Sequence, residues 1–354
     1  MRITGDVMSR DRAVAEVRNG VVVSLDEDRV PFFLRSGNIE GWLCSRAIDS
    51  HRTNSRLIKK ALRLTAADDA ELVLKVNACA ITDSYWFRPD GSGLKYTDVR
   101  FTFNYFDKLA LYGDPDSFNN PESRTPELTN IGSFEKCWRL IDGEWWMYKQ
   151  GNDRERFSEM FAHELGLALG FDMAEYMLDG QFIKSRDFTG NAAVNYEAAE
   201  GLVGRNDDYG VSFDAFYRLS HECARQYLAI LYIDALAFNM DRHTQNYGVL
   251  RDAESGRVLR MAPNFDNNIA LISQGYPQNI DRKNDRLIAD LLALLSGNAC
   301  ALQLFTDFVY TPVAKEVVAL AANSIPIEVD KEYVIQFVMN GAGRLRKELE
   351  QIIV

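Results

Sequence analysis

Residues 238–250 read Phe-Asn-Met-Asp-Arg-His-Thr-Gln-Asn-Tyr-Gly-Val-Leu, and residues 262–268 read Ala-Pro-Asn-Phe-Asp-Asn-Asn. Upstream, Arg225 to Phe238 is mostly apolar and lacks Gly and Pro, which predicts a buried helix ending near Asn239. Asp241 to Asn246 then reads as a polar loop. Tyr247–Arg251 and Arg257–Ala262 read as strands, and Asp252-Ala-Glu-Ser-Gly256 between them carries turn chemistry, so the pair is expected to form a hairpin. Such a hairpin returns the chain and brings Asp266 near Asn246.

Asp241, Asn246 and Asp266 are the residue types that phosphoryl transfer requires. One carboxylate positions the attacking hydroxyl, while an Asn and a second Asp hold Mg²⁺ against the phosphates. Turn and capping roles would account for Asp241-x-His243 alone, but they do not require a second carboxylate after a hairpin. The run Asn239-x-Asp-Arg-His-x-x-Asn246-Tyr-Gly, followed by Pro263-x-Phe-Asp266, resembles the HipA-type kinases, bacterial Ser/Thr kinases with a protein-kinase-like fold. The resemblance implies that Asp241 is the base or hydroxyl-positioning group, that His243 supports the loop, and that Asn246 and Asp266 bind Mg²⁺. Asp-Arg-His-x-x-Asn also occurs in phosphatidylinositol kinases, so this loop does not by itself choose the substrate.

The 354-residue chain is 47% hydrophobic, enough for two or three subdomains. Its net charge of −11 argues against nonspecific nucleic-acid or anionic-membrane binding. Five scattered cysteines without a Cys-x-x-Cys suit reduced thiols in the cytoplasm and not a disulfide scaffold or zinc site. The start Met1-Arg-Ile-Thr-Gly-Asp6 has no apolar signal core, and no run of about eighteen apolar residues suggests a membrane span.

Residues 1–125 read as an accessory region continuous with a small lobe. Strands are expected at Ala13–Val17, Val21–Leu25 and Pro31–Leu34, with Asn19-Gly20 marking a hairpin. Arg56–Leu64 suggests a short basic helix, and Glu71–Val76 another short element. The aromatic pair in Ile81–Pro89 reads as core packing. Asp83-Ser-Tyr-Trp86 and Asp98-Val-Arg-Phe101 extend the family resemblance N-terminally without assigning chemistry. Leu111–Asn130, rich in Asp, Pro, Asn and Ser, reads as an exposed loop or linker.

Residues 126–190 read as the kinase small lobe. Cys137–Ile141 and Glu144–Lys149 flank Asp142-Gly143, a hairpin signature. Gly132 would let backbone N–H groups approach phosphate closely. Neither Gly-x-x-x-x-Gly-Lys-Ser/Thr nor Gly-x-Gly-x-x-Gly is present, which disfavours a P-loop NTPase and an ordinary eukaryotic kinase loop. Gly132-Ser133-Phe-Glu-Lys136 resembles the phosphate loop of HipA-like kinases, with Phe134 where Gln is common. Lys149 would reach the α- and β-phosphates. Ser158 to Gly170 reads as a helix with Ser158 as N-cap and Gly170 as its stop. The family's helix places its Glu on Glu159, which would pair with Lys149; Glu164 is the competing partner. Met173–Leu178 and Gln181–Lys184 read as strands, and Ser185–Phe188 as the hinge.

Residues 191–354 read as a helical large lobe, with helices expected at Tyr196–Leu202, Phe213–Leu219, His221–Phe238, Arg282–Leu295, Leu302–Val309, Pro312–Ala322 and Lys331–Ile353. His51, His163 and His221 are isolated and read as structural. The expectation is an α+β, two-lobed protein-kinase-like fold with a β-rich small lobe, a helical large lobe and an N-terminal accessory region. Its implied activity is ATP- and Mg²⁺-dependent transfer to a Ser/Thr hydroxyl of a protein, with autophosphorylation at Thr129 or Ser133 lowering activity. A cognate antitoxin or regulatory protein is the implied partner. The alternatives are a phosphatidylinositol-type lipid kinase, disfavoured by the acidic charge and lack of a basic membrane-facing segment, and a pseudokinase serving as the binding module of a toxin–antitoxin pair.

Overall fold

Short strands alternate their side chains across two faces, and the first part of the chain uses both faces. The computed structural model describes residues 3–52, 54–132 and 134–353. Strands β1 (Gly5–Ser9), β2 (Arg12–Arg18), β3 (Val21–Leu25) and β4 (Tyr85–Pro89) form an antiparallel sheet of order β3-β2-β1-β4. Asn19 and Gly20 both have positive φ, as a two-residue hairpin turn demands. Along β1 and β4, Val7, Tyr85 and Phe87 enter one apolar cluster with Trp42 and Leu43, while Met8 and Trp86 enter another with Trp138 and Trp145. The sheet is therefore packed on both faces. Truncating a side chain as deeply buried as Trp86 costs about 3–5 kcal/mol.

The chain falls into two compact units. The first comprises Met1–Gln150, Asp179–Glu197 and Leu250–Leu259; the second comprises Gly151–Leu178, Ala198–Val249 and Arg260–Val354. In the first unit, β5 (Lys136–Ile141) pairs with β6 (Glu144–Gln150) around Asp142 and Gly143, both at positive φ. The strand β8 (Phe182–Arg186), preceded in the chain by β7 (Tyr176–Asp179), pairs antiparallel with β6. The buried Arg251 ties residues 221 positions apart by donating to the carbonyl of Val30 at 2.9 Å. It also donates to Glu197, Asp28 and Gly256. Gly256 has a φ of 75°, and a Cβ there would fall 2.0 Å from the Asp28 carbonyl oxygen.

Two expectations in this unit fail. Pro31–Leu34 does not form a strand: Pro31 precedes a 3₁₀ turn, Phe32–Ser36, which Gly37 ends in the left-handed conformation. Residues 111–130 are not a plain exposed linker. They hold the end of the helix Asp107–Tyr112 and two 3₁₀ turns, Pro115–Asn119 and Pro126–Thr129, and each turn begins on a proline whose fixed φ suits it. Thr125 to Asn130 is buried throughout.

The second unit is mainly helical. Its first helix runs Asp153–Ala168, and Asn152, not Ser158, is the N-cap. Asn152 and Glu155 form a reciprocal capping box that satisfies the helix start six residues earlier than expected, leaving Ser158 buried inside the helix. Tyr196–Leu202 is not a helix either: β9 (Val194–Ala198), all but its last residue in the first unit, precedes a single turn, Glu200–Val203. The helix Tyr209–Leu219 leads to His221–Ala237, the central buried helix. Next in the chain, β10 (Gly248–Asp252) and β11 (Val258–Met261), whose residues 250–259 belong to the first unit, are linked by Asp252 N–H donating to the Arg257 carbonyl at 2.9 Å and Ala262 N–H to that of Gly248 at 2.9 Å, as the expected hairpin requires.

Four helices follow: Arg286–Gly297, Ala299–Phe308, Lys315–Ser324 and Lys331–Ile353. The first starts at Arg286 and not Arg282, because Asp285 caps it while Arg282 turns into a left-handed conformation and donates to the carbonyls of Ala235 and Leu236. Pro312 lies before the helix Lys315–Ser324 and not in its first turn. No single helix among the described residues is long and apolar enough to cross a membrane.

Candidate functional site

The central helix ends on Phe238, which takes a left-handed φ of 53° and packs its ring against Phe337 and the Arg282 guanidinium. That reversal releases the chain into Asn239–Asn246. The loop is closed by its own backbone. His243 N–H donates to the Asp241 carbonyl at 3.0 Å, and Asn246 N–H donates to the His243 carbonyl at 2.8 Å. The Asn246 amide nitrogen donates to the Asp241 carbonyl at 3.1 Å, which assigns the nitrogen of that amide to the loop backbone. His243 accepts the Gln245 N–H on Nδ1 at 3.3 Å and so braces the same turn.

Arg242 organises this loop. Its guanidinium is buried and makes six hydrogen bonds. Two form a fork onto Asp234, at 2.8 and 2.9 Å. One reaches the Asn246 carbonyl at 2.8 Å. The others go to the Phe265 carbonyl at 2.7 Å and to the side-chain oxygens of Asn264 and Asn267 at 2.9 and 2.7 Å. One cation thus holds the 239–246 loop and the 264–267 loop together; burial disfavours its charge, but the Asp234 carboxylate and the other carboxylates nearby outweigh that and push the Arg242 pKa up. Asn239 adds a bond to Asp234 at 3.1 Å.

The second loop is fixed from other sides too. Asn264 bridges Met173, and Asp266, at a left-handed φ of 61°, donates its N–H to the Tyr176 hydroxyl at 3.0 Å. Asn267 N–H donates to the buried Glu159 carboxylate at 2.6 Å. Partial desolvation and then the negative charge of Asp266 push the Asp241 carboxyl above its ordinary value, opposed by His243 and Arg242. Asp241, His243, Asn246, Asp266 and Glu159 all belong to this second unit. Arg242, Asp234, Asn264 and Asn267 were assigned no role from the sequence. Asp234 carried a usable signal, since a carboxylate inside an apolar helix requires a buried partner.

The other expected residues belong to the first unit. Gly132 has a φ of 112°, and a Cβ there would fall 2.2 Å from the Lys136 Nζ. Lys136 and Lys149 are direct cross-strand partners on β5 and β6, and only 8% and 7% exposed. Ser133 lies outside the described residues. Thr129 does not present a hydroxyl for modification: it is buried and donates to the carbonyls of Cys79 at 2.8 Å and Pro126 at 3.2 Å.

These residues fit a magnesium nucleotide. In the second unit Asn246 and Asp266 offer hard oxygens of the kind Mg²⁺ takes; in the first, the missing side chain of Gly132 is what lets the Lys136 ammonium lie against that backbone. Among the described residues no three His, Cys, Asp or Glu side chains form a metal-holding group. Mg²⁺ shared with phosphate oxygens needs no such all-protein cage.

No family model matches the chain, and no curated protein matches it. Solved structures do. A chain of the Shewanella oneidensis MR-1 toxin–antitoxin complex of HipA, HipB and operator DNA aligns over 99% of this chain and 99% of its own, at a TM-score of 0.57 and 11% identity. The Helicobacter pylori proinflammatory kinase CtkA aligns over 62% of this chain and 94% of its own, at a TM-score of 0.51 and 17% identity. The chain has an α+β, protein-kinase-like fold. More particularly, its fold is that of the HipA-like kinases.

Proposed function

We propose that this protein is an ATP- and Mg²⁺-dependent kinase that phosphorylates a Ser or Thr hydroxyl of a protein substrate. The observation that carries the reading is the arrangement of Asp241, Asn246 and Asp266 on two loops fastened by one buried Arg242. Bound Mg·ATP would supply the phosphoryl group and neutralise its charge. Asn246 and Asp266 would hold the metal; Gly132, Lys136 and Lys149 would hold phosphates, and Glu159 would orient Lys149. Asp241 would accept a hydrogen bond from the acceptor hydroxyl, align its oxygen and take its proton. His243 would keep the Asp241 loop in shape. Domains at residues 1–125, 126–190 and 191–354 remain our functional division.

The Shewanella structure contains HipB beside HipA, and by analogy we assign this chain a cognate antitoxin-like partner in the cytoplasm. Incubation with γ-labelled ATP, Mg²⁺ and cell protein should label Ser or Thr residues, and Asp241→Ala should abolish that labelling. Labelling confined to inositol lipid would replace this reading with the lipid-kinase one. Absence of Mg·ATP binding in calorimetry would leave a pseudokinase module.

A further inference from the structure

We propose that the buried ion pair Arg52–Glu127 positions the loop that carries Gly132 and thereby sets affinity for nucleotide phosphates. The proposal rests on the kinase reading above. Both side chains are 0% exposed and meet at 2.9 Å. Arg52 also donates to the carbonyls of Asn130, at 3.4 Å, and Lys136. Those two residues bracket positions 131–135. Glu127 reaches Asn130 and, two residues beyond Lys136, Trp138. One oxygen accepts the Asn130 side-chain amide at 3.0 Å, and the other accepts the Trp138 N–H at 2.8 Å and the Asn104 amide at 2.9 Å.

A buried ion pair gains little stability over a well-packed apolar pair, because desolvating both charges offsets their attraction. What this pair does that an apolar pair could not is hold two carbonyls and two N–H groups at fixed positions around one loop. Lys136 starts β5 at one of those positions, and its Nζ lies against Gly132. Displacing the Lys136 backbone would move that ammonium and the glycine together. The comparable buried pair Arg46–Asp83 in the same unit instead holds the carbonyls of Ala78 and Tyr85, neither of them within residues 130–136.

The test compares Arg52→Lys with Arg46→Lys. A lysine keeps the charge opposite its carboxylate but loses the fork that spans several acceptors. Amide hydrogen exchange over residues 130–137 without nucleotide, thermal melting, and Mg·ATP calorimetry are read on each. Arg52→Lys should speed exchange in this segment and raise the Kd for Mg·ATP by about tenfold, the loss of one charge-assisted hydrogen bond. Arg46→Lys should lower the melting temperature while leaving both readings at the wild-type level. Should Arg52→Lys fail to fold, Glu127→Gln supports the same comparison. Equal effects from the two arginine variants, or faster exchange with unchanged Kd, would overturn the proposal. A wild-type protein that binds no Mg·ATP would refute the kinase reading and with it the affinity claim; the exchange data would separately show whether the pair clamps the loop.

Discussion

Lys136 and Lys149 stand directly opposite each other on neighbouring antiparallel strands, both nearly buried. Residues in that register present their side chains on the same face of the sheet, so one anion could meet both lysines. Lys136→Met and Lys149→Met should each weaken Mg·ATP binding by about tenfold or more, the scale of one hydrogen bond to a charged group. Because the lysines are neighbours, their effects should not add. Calorimetry on both single variants and the double variant checks this. Wild-type affinity in either single variant would remove that lysine from the phosphate site.

Gly132→Ala tests the same region without changing a charge. The new methyl would meet the Lys136 Nζ, and alanine is strained at this φ. Nucleotide affinity should fall while the melting temperature changes by only a few degrees. Unchanged affinity would mean that Lys136 can move aside at no cost to binding.

Arg242 should be indispensable in a different way. Arg242→Ala leaves Asp234 buried and uncompensated, a loss of about 3–5 kcal/mol. Arg242→Lys restores a cation for Asp234 but cannot also hold Asn246, Asn264, Phe265 and Asn267. It should fold, and its single-turnover rate should drop by about 10², the penalty for a small misplacement of reacting groups. Full activity in Arg242→Lys would show that the two loops keep their geometry without the guanidinium fork.

Asp241 and Asp266 should separate under substitution. Asp241→Asn should retain Mg·ATP binding while transfer falls by about 10² to 10⁴. Asp266→Asn, which weakens a hard-cation site, should impair both. Mg·ATP titration beside single-turnover transfer distinguishes them, and the reverse pattern would exchange the two assignments.

His163 gives the fold a pH dependence. Burial lowers its pKa below 6.5, against the opposing charge of Glu164. The unfolded chain therefore takes up this proton first as pH falls. The stability contributed by neutral His163 is complete above about pH 6.5 and is lost as pH drops through the lowered folded-state value. Urea midpoints at about pH 7.5 and 5 should differ less in His163→Gln than in the wild type. Parallel losses in the two proteins would assign the acid sensitivity to other groups.

Local chemistry made part of this architecture readable. Asp142-Gly143 and Asn19-Gly20 specify their turns within two residues, and the Lys331–Ile353 helix follows from its apolar spacing. Features set by distant partners were harder to see. Composition makes residues 111–130 look solvated, yet Glu127 is buried because Arg52 and Asn104 neutralise and bond it. Nothing beside Arg242 in the sequence announces Asn264 and Asn267, which the hairpin brings to it. Two misreadings had visible remedies. Asn152-x-x-Glu155 is a capping box upstream of Ser158, and Val194-Asn-Tyr-Glu-Ala198 alternates apolar and polar residues with the period of a strand, although here it is the polar Asn195 and Glu197 that are buried.

The link between Arg251 and Val30 spans 221 residues. At ~5–20 residues per second, roughly 10–45 s of translation separates these partners. Until then, the hydrogen bonds that residues 28–30 will make to Arg251 cannot form, and the Asp28 carbonyl has no Gly256 to lie against. The unit that holds residues 28–30 is therefore closed only by residues made much later, 250–259, although its apolar clusters draw on residues made well before them.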